Sequence, residues 1–211
     1  DMPMTALIRN LATLTRVGVV APMSKGTSRV VEQLRDGKRL QAARVHPVGV
    51  LSALLTYKSG QGVRGTNSWS PVAAVVDALD EAFYESFKFV EPTGKRTMLA
   101  LDVSGSMSMG VIAGVPGLTP RVGSAAMAMV TARTEANYMM AGFSTTFRQL
   151  TISPRQRLDD VVKEISGLPF SGTDCALPMI WAAKNKAEID TFVVYTDNET
   201  WAGMVHPFQA L

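Results

Sequence analysis

One cysteine, Cys175, and two histidines, His46 and His206, are all that the chain holds of those residue types. A single cysteine excludes an intrachain disulfide and is compatible with a reducing cytosol. No apolar run reaches the roughly 18 residues that a membrane span needs. Pro3, Thr5, Arg9 and Asn10 interrupt the N-terminal stretch, so no signal-peptide pattern is visible there. Charged residues make up only 18% of the 211, and hydrophobic ones 46%, enough for a normal core. The 17 glycines and 11 prolines are ordinary numbers and do not indicate disorder. The length suits one large domain or two modest ones. The chain begins at Asp1 and stops at Leu211, shortly after a new apolar segment has begun at Met204, and the expectation is a fragment of a longer protein.

The net charge of +3 hides an asymmetry. Residues 1–70 carry ten Lys/Arg against three Asp/Glu, and residues 71–211 carry eleven against fifteen. A basic first half suits a polyanionic partner, and it equally suits a solvated basic face. Within it, Arg35, Lys38, Arg39 and Arg44 cluster most closely and are the candidates for phosphate contacts.

Residues 1–90 read as helices. Met4, Leu7, Ile8, Leu11 and Leu14 recur at helical spacing behind Pro3, with Gly18 as a stop. Ser28 is an N-cap candidate for a helix carrying Val30, Val31 and Leu34, which Asp36-Gly37 would end. His46-Pro47 opens another, with Val50, Leu51, Leu54 and Leu55 on one face and Gly60 closing it. Pro71 starts the longest, striped by Val72, Val75, Val76, Leu79, Phe83 and Phe87. Successive amphipathic helices with short loops predict a helical stack. Residues 91–96, with Glu91-Pro92-Thr93-Gly94, read as a linker.

From residue 97 the pattern changes. Short continuous apolar runs at 97–101, 138–143 and 191–196 alternate with helical stretches at 122–133, 157–165 and 176–185, and 147–152 suits an edge strand. Apolar strands alternating with helices predict an α/β domain, a doubly wound, Rossmann-like parallel sheet over residues 97–211.

The first strand runs into Asp102-Val103-Ser104-Gly105-Ser106, and the strand at 191–196 runs into Asp197. Ligands bind such sheets outside the carboxyl ends of the strands. Thr173 lies in a Ser-Gly-Thr-Asp loop before a helix on the same edge. Asp102, Ser104, Ser106, Thr173 and Asp197 are therefore the candidate ligands of one Mg²⁺ or Mn²⁺ ion, because oxygen-only donors select hard cations. Two carboxylates neutralise the ion, and an open position could take an acidic group from a partner. The alternative is that Asp102, Ser104 and Ser106 only cap the following helix. An aspartyl-phosphate phosphatase would want a carboxylate where Ser104 stands, and no lysine follows Gly105 or Gly110 as a P-loop requires. The two histidines sit in different halves, each before a proline, and fit a Ser-His-Asp site poorly. Cys175 reads as a small buried residue beside the metal loop.

Asp102-Val103-Ser104-Gly105-Ser106, Thr173 and Thr196-Asp197-Asn198-Glu199 resemble the metal-ion-dependent adhesion site of von Willebrand factor A domains. Val45-His46-Pro47, Thr56-Tyr57-Lys58-Ser59-Gly60, Val90-Glu91-Pro92-Thr93-Gly94-Lys95-Arg96, the segment from Gly172 to Ala182 and Thr196-Asp197-Asn198-Glu199-Thr200-Trp201-Ala202-Gly203 resemble the Ro autoantigen family. The resemblance covers essentially the whole chain, with departures from animal members at Thr66-Asn67-Ser68-Trp69 and in the loop 110–119 that suit a bacterial member. It implies that residues 1–90 are the last helices of a TROVE module built of HEAT-like repeats, followed by an incomplete von Willebrand factor A domain. It implies a cytoplasmic RNA-binding protein that is not an enzyme. Its partners would be small noncoding Y RNAs, misfolded RNA ends and a 3′-to-5′ exoribonuclease, with an acidic protein ligand at the metal site. A protein-adhesion module without RNA and a metal-dependent phosphoryl-transfer enzyme are the competing readings of the residues.

Overall fold

The computed structural model describes residues 2–169, 171–197 and 200–211. It divides into two compact units, one of residues 1–91 with 113–118 and one of residues 92–112 with 119–211.

The first unit is helical: α1 (Met4–Arg16), α2 (Lys25–Arg35), α3 (Gly37–Ala42), α4 (Pro47–Ser59) and α5 (Ala73–Ser86). Their apolar stripes form its core, where Leu11, Leu34, Leu40, Leu51, Leu79 and Phe83 are all but inaccessible. Helix α2 begins one turn earlier than the apolar pattern suggests. Its cap is Ser24, whose Oγ accepts from Thr27 N at 3.0 Å, whereas Ser28 lies inside the helix. Asp36-Gly37 ends α2 as expected and also starts α3, because the Asp36 carboxylate accepts from Arg39 N at 3.1 Å. Helix α4 has proline in its first turn and ends on Gly60 in the left-handed region at φ 70°.

The α1–α2 connection is closed tightly. Thr27 Oγ1 donates to Ala21 O at 2.6 Å and Ser24 Oγ donates to Val19 O at 3.1 Å. A β-carbon on Gly26 would stand 2.0 Å from Val19 O, a backbone atom that cannot step aside alone. Gly26→Ala is therefore expected to lower stability by about 1–3 kcal/mol, read as an earlier urea midpoint with unchanged slope. A neutral result would show that this connection is not packed as described.

The second unit is a mixed α/β domain. Among the described residues its sheet has four strands, β1 (Thr97–Asp102), β2 (Tyr138–Phe143), β3 (Phe147–Leu150) and β4 (Thr191–Tyr195), in the order β3-β2-β1-β4. β1 pairs in parallel with β2 and β4, and β3 lies antiparallel on the β2 edge. All six residues of β1 are buried, so the sheet is covered on both faces along its centre, and the continuous apolar run Thr-Met-Leu-Ala-Leu follows from that. Helices α6 (Pro120–Thr134), α7 (Leu158–Ser166), α8 (Leu177–Asn185) and the short α9 (Pro207–Ala210) complete the unit. Cys175 and Leu177 pack with Ala100, Phe143 and Val194 on one face.

Two polar clamps fix where the central strands begin. Arg96, just before β1, donates to both carboxylate oxygens of Asp190, just before β4, at 3.0 and 2.6 Å. The Glu135 carboxylate accepts from Thr93 N at 2.7 Å and Gly94 N at 3.0 Å, which holds it below the usual carboxylate range. The register Leu101↔Tyr195 then sets the carboxyl ends of β1 and β4 side by side.

Candidate metal centre

β1 ends on Asp102, and the chain turns through Val103 and Ser104 into a 3₁₀ turn, Gly105–Ser108. The Asp102 carboxylate is fully buried. Its Oδ1 accepts from Ser104 N at 2.8 Å, and its Oδ2 accepts from Thr196 Oγ1 at 2.8 Å and from Thr173 Oγ1 at 3.4 Å. Ser104 Oγ and Ser106 Oγ are 3.1 Å apart, and Ser106 Oγ donates to Asp197 Oδ1 at 3.3 Å. The five candidate ligands thus lie on three loops at the carboxyl edge of the sheet in two bonded sets, Thr173 on Asp102 and Ser104–Ser106–Asp197, joined through the Ser104 amide on Asp102. Asp102, Ser104 and Thr173 are buried, while Ser106 and Asp197 are exposed, so the cluster has a closed floor and an open side.

Three observations suit a small hard cation here. Oxygens held about 2.1 Å from a six-coordinate ion stand about 3.0 Å apart along an octahedral edge, close to the 3.1 and 3.3 Å separations. The candidate set is two carboxylates and three hydroxyls, a donor chemistry that suits Mg²⁺ or Mn²⁺. Lastly, the floor is a buried carboxylate that accepts from two hydroxyls and one amide, and a cation on its open side would add to the offset that the charge of Arg121 already gives it.

The site also rests on residues the sequence pattern did not single out. Thr196 makes the shortest side-chain bond to Asp102 and can orient its carboxylate. Arg121, in the first turn of α6, is only 6% exposed, and its Nη2 donates to Val103 O at 3.1 Å and to Ser104 O at 2.8 Å. Burial pulls its pKa down, and the charge of Asp102 partly restores it. Thr173 is buttressed in turn, since its carbonyl accepts from Trp201 N at 3.1 Å and Ala202 N at 3.0 Å. Gly203 closes that loop at φ 89°, where a β-carbon would meet Asp174 Oδ2 at 2.3 Å. Cys175 is buried beside the site. Burial and then the Asp102 charge push its thiol up, so it stays protonated, as suits a packing residue. Asn198 and Glu199 lie outside the described residues.

The four basic residues singled out for phosphate contacts do not share one environment. Arg35 grips Glu81 through two bonds of 2.6 and 2.8 Å, and Arg39 lies 4.0 Å from Asp36. Lys38 is exposed on α3. Arg44 follows α3 in the left-handed region at φ 48° and lines a cavity between α1 and α4.

Comparison with known proteins gives these geometries a context. The family profile of the Ro60 vWA domain matches residues 96–211, and that of the TROVE domain matches residues 1–56. A protein of Deinococcus radiodurans named RNA-binding protein RO60 is 51% identical over 209 residues, which is 99% of this chain and 39% of that protein. One of the same name from Caenorhabditis elegans is 40% identical over 211 residues, which is 100% of this chain and 32% of that protein. The chain therefore spans under half the length of these relatives. The crystal structure of the Deinococcus radiodurans RO (RSR) protein superposes with a TM-score of 0.92 at 50% identity, covering 100% of this chain and 42% of that one. With the family profile over residues 96–211 and the similarity along the whole chain in agreement, the chain belongs to the Ro60 family.

Proposed function

We propose that the chain is part of an RNA-binding protein, its helical unit contributing to an RNA surface and its α/β unit carrying a divalent-cation site for an acidic partner group. The supporting observation is whole-chain similarity, at 51% and 40% identity, to two proteins named RNA-binding protein RO60. The excess of positive charge in residues 1–70 agrees with it. The finer reading follows the Ro resemblance: the RNAs are small noncoding Y RNAs and the single-stranded ends of misfolded RNAs, the process is RNA quality control in the cytoplasm, and cleavage is left to a separate 3′-to-5′ exoribonuclease.

In the α/β unit, Asp102, Ser104, Ser106, Thr173 and Asp197 would hold Mg²⁺ or Mn²⁺. The bound ion would supply a Lewis-acidic position for a carboxylate. The chain's own part is to fix the oxygens. Thr196 and the Ser104 amide orient Asp102, and the exposed side, at Ser106 and Asp197, admits the partner group. No histidine faces the cluster as a general base, and the reading includes no catalysis. Among the described residues no helix is long and apolar enough to cross a membrane.

The test is the salt dependence of RNA binding. Three contacts to single-strand phosphates give a log–log slope of about −2, so a fourfold rise in salt should weaken binding about 20-fold. An affinity independent of salt would refute phosphate contact, and binding of an acidic protein with no affinity for RNA would favour the adhesion reading.

A further inference from the structure

The helical unit contains a groove that its packing does not use. Helix α1 buries Met4, Leu7 and Leu11, and α4 buries Val50, Leu51 and Leu54. A second face of each helix lines a cavity of about 380 Å³: Thr5, Ile8, Arg9 and Ala12 on α1, and Gly49, Ser52, Ala53 and Thr56 on α4. Both sets follow the i, i+3, i+4, i+7 spacing, so they form two facing stripes. The α4 stripe is made of small residues, which leaves a slot between the helices. The volume lies within the range of about 300–1,000 Å³ that small-ligand sites occupy.

The chemistry of the lining is one-sided. Arg9, Arg44 and His46 all line it, and no aspartate or glutamate does. Among the described residues no carboxylate pairs with Arg9 or Arg44, in contrast with Arg35 on Glu81. Arg44, at φ 48°, closes the C-terminus of α3, its N–H donating to Gln41 O at 2.9 Å and that of Val45 to Leu40 O at 3.3 Å, and this places its side chain at the groove. His46 accepts Val48 N through Nδ1 at 3.2 Å. In the neutral ring that leaves Nε2–H as a donor. Aromatic surface completes the lining. Trp69 is held by its Nε1, which donates to Tyr57 O at 2.9 Å, and its ring lies 6.2 Å from that of Tyr57 at 26°.

We propose that this groove binds one nucleotide of a single RNA strand, the base in the slot between α1 and α4 and the flanking phosphates on Arg9 and Arg44. A slot with small-residue walls and a fixed indole takes a planar ring, and unpaired cations beside it take the backbone that any such ring carries. An acidic peptide would satisfy the cations but would not need a planar slot. The proposal rests on the RNA-binding reading of the helical unit and adds a place and a mode to it.

The experiment uses the full chain and a fluorescein-labelled decauridylate, with anisotropy read across a salt series. Arg9→Gln with Arg44→Gly removes both cations, and glycine at 44 suits the positive φ, so the fold is retained. At about 0.1 M salt this variant should bind about tenfold or more weakly, and the log–log salt slope should fall by about 1.4, at 0.7 per lost contact. Ala53→Trp fills the slot without touching charge, and should weaken binding while leaving the slope unchanged. Arg29→Gln, a cation of α2 outside the groove lining, is the comparison. If Arg29→Gln costs as much as the groove variants, or if Ala53→Trp binds as the parent does, RNA binding stands and the groove assignment falls. If the parent chain binds no decauridylate but an acidic peptide occupies the groove, the RNA reading falls with it.

Discussion

Heating the chain with Mg²⁺ in about 100-fold excess over its dissociation constant is expected to raise stability by about 2.7 kcal/mol, a rise of roughly 10 °C in the melting temperature of a domain this size. EDTA should reverse it. The expectation follows from the candidate site: a buried carboxylate, Asp102, lies beside a string of hydroxyl and carboxylate oxygens that opens to solvent at Ser106 and Asp197. Asp102→Asn is the decisive variant. It keeps the side chain's shape and one oxygen but removes the charge that would hold the ion, so the Mg²⁺-dependent rise should vanish. Asp102→Ala should do the same and also strand the Ser104 amide and the Thr173 and Thr196 hydroxyls, at about 1–3 kcal/mol even in EDTA. Ser106→Ala, at the exposed side, should only reduce the rise. If Asp102→Asn kept the full Mg²⁺ response, the ion would be bound elsewhere and the ligand assignment would be wrong. If the parent protein showed none, the cluster would be a hydrogen-bonded cap and the alternative reading of the Asp-x-Ser-x-Ser segment would hold.

The parts of the fold that were legible are those where one physical signal dominates. β1, β2 and β4 are short apolar runs set between helical stretches, and the central strand β1 is buried along its whole length. The meeting of these loops was legible because a strand ending in Asp-x-Ser-x-Ser and another ending in Thr-Asp must meet at one sheet edge if the strands are neighbours, and β1 and β4 are. Other features depend on which of two local bonds wins. Ser24 and Ser28 are both acceptable caps by type, and the choice falls to Ser24 because Val19 and Ala21 fold back onto it. Asp36-Gly37 reads as a helix end and is also a helix start, since one carboxylate can cap the next turn. The basic cluster 35–44 looked uniform, and Glu81, distant in sequence, sets Arg35 apart. Thr196 enters the sequence only as part of a motif, and Arg121 not at all, because their partners, Asp102 and two backbone carbonyls, are tertiary contacts. The one available signal for Arg121 was a charged side chain among glycine, serine and alanine residues in the first turns of α6, where a surface helix would place solvent-facing charge more evenly.

Arg121→Ala is expected to destabilise the α/β unit by about 2–4 kcal/mol, with or without a cation. The turn from Val103 to Ser108 lies outside the sheet, and the buried Arg121 guanidinium donates to the carbonyls of Val103 and Ser104, the second of which also accepts from Met107 N at 3.3 Å. Removing it leaves two buried acceptors without that partner and takes away a positive charge that acts on Asp102. Each change costs more in a buried setting than at the surface, because water cannot replace the lost donor freely. Arg121→Lys tests which of the two matters. Lysine restores the charge but cannot reproduce the planar guanidinium, so it should recover part of the stability and leave the loop less well held. The comparison is read in urea unfolding under EDTA, where the cation contributes nothing. Full recovery with lysine would make Arg121 a counter-charge only. No loss with alanine would mean that the loop shape is set by β1 and the 3₁₀ turn alone. The expected intermediate value instead assigns Arg121 both tasks: it offsets the charge of Asp102 and holds the carbonyls that shape the loop carrying Ser104 and Ser106.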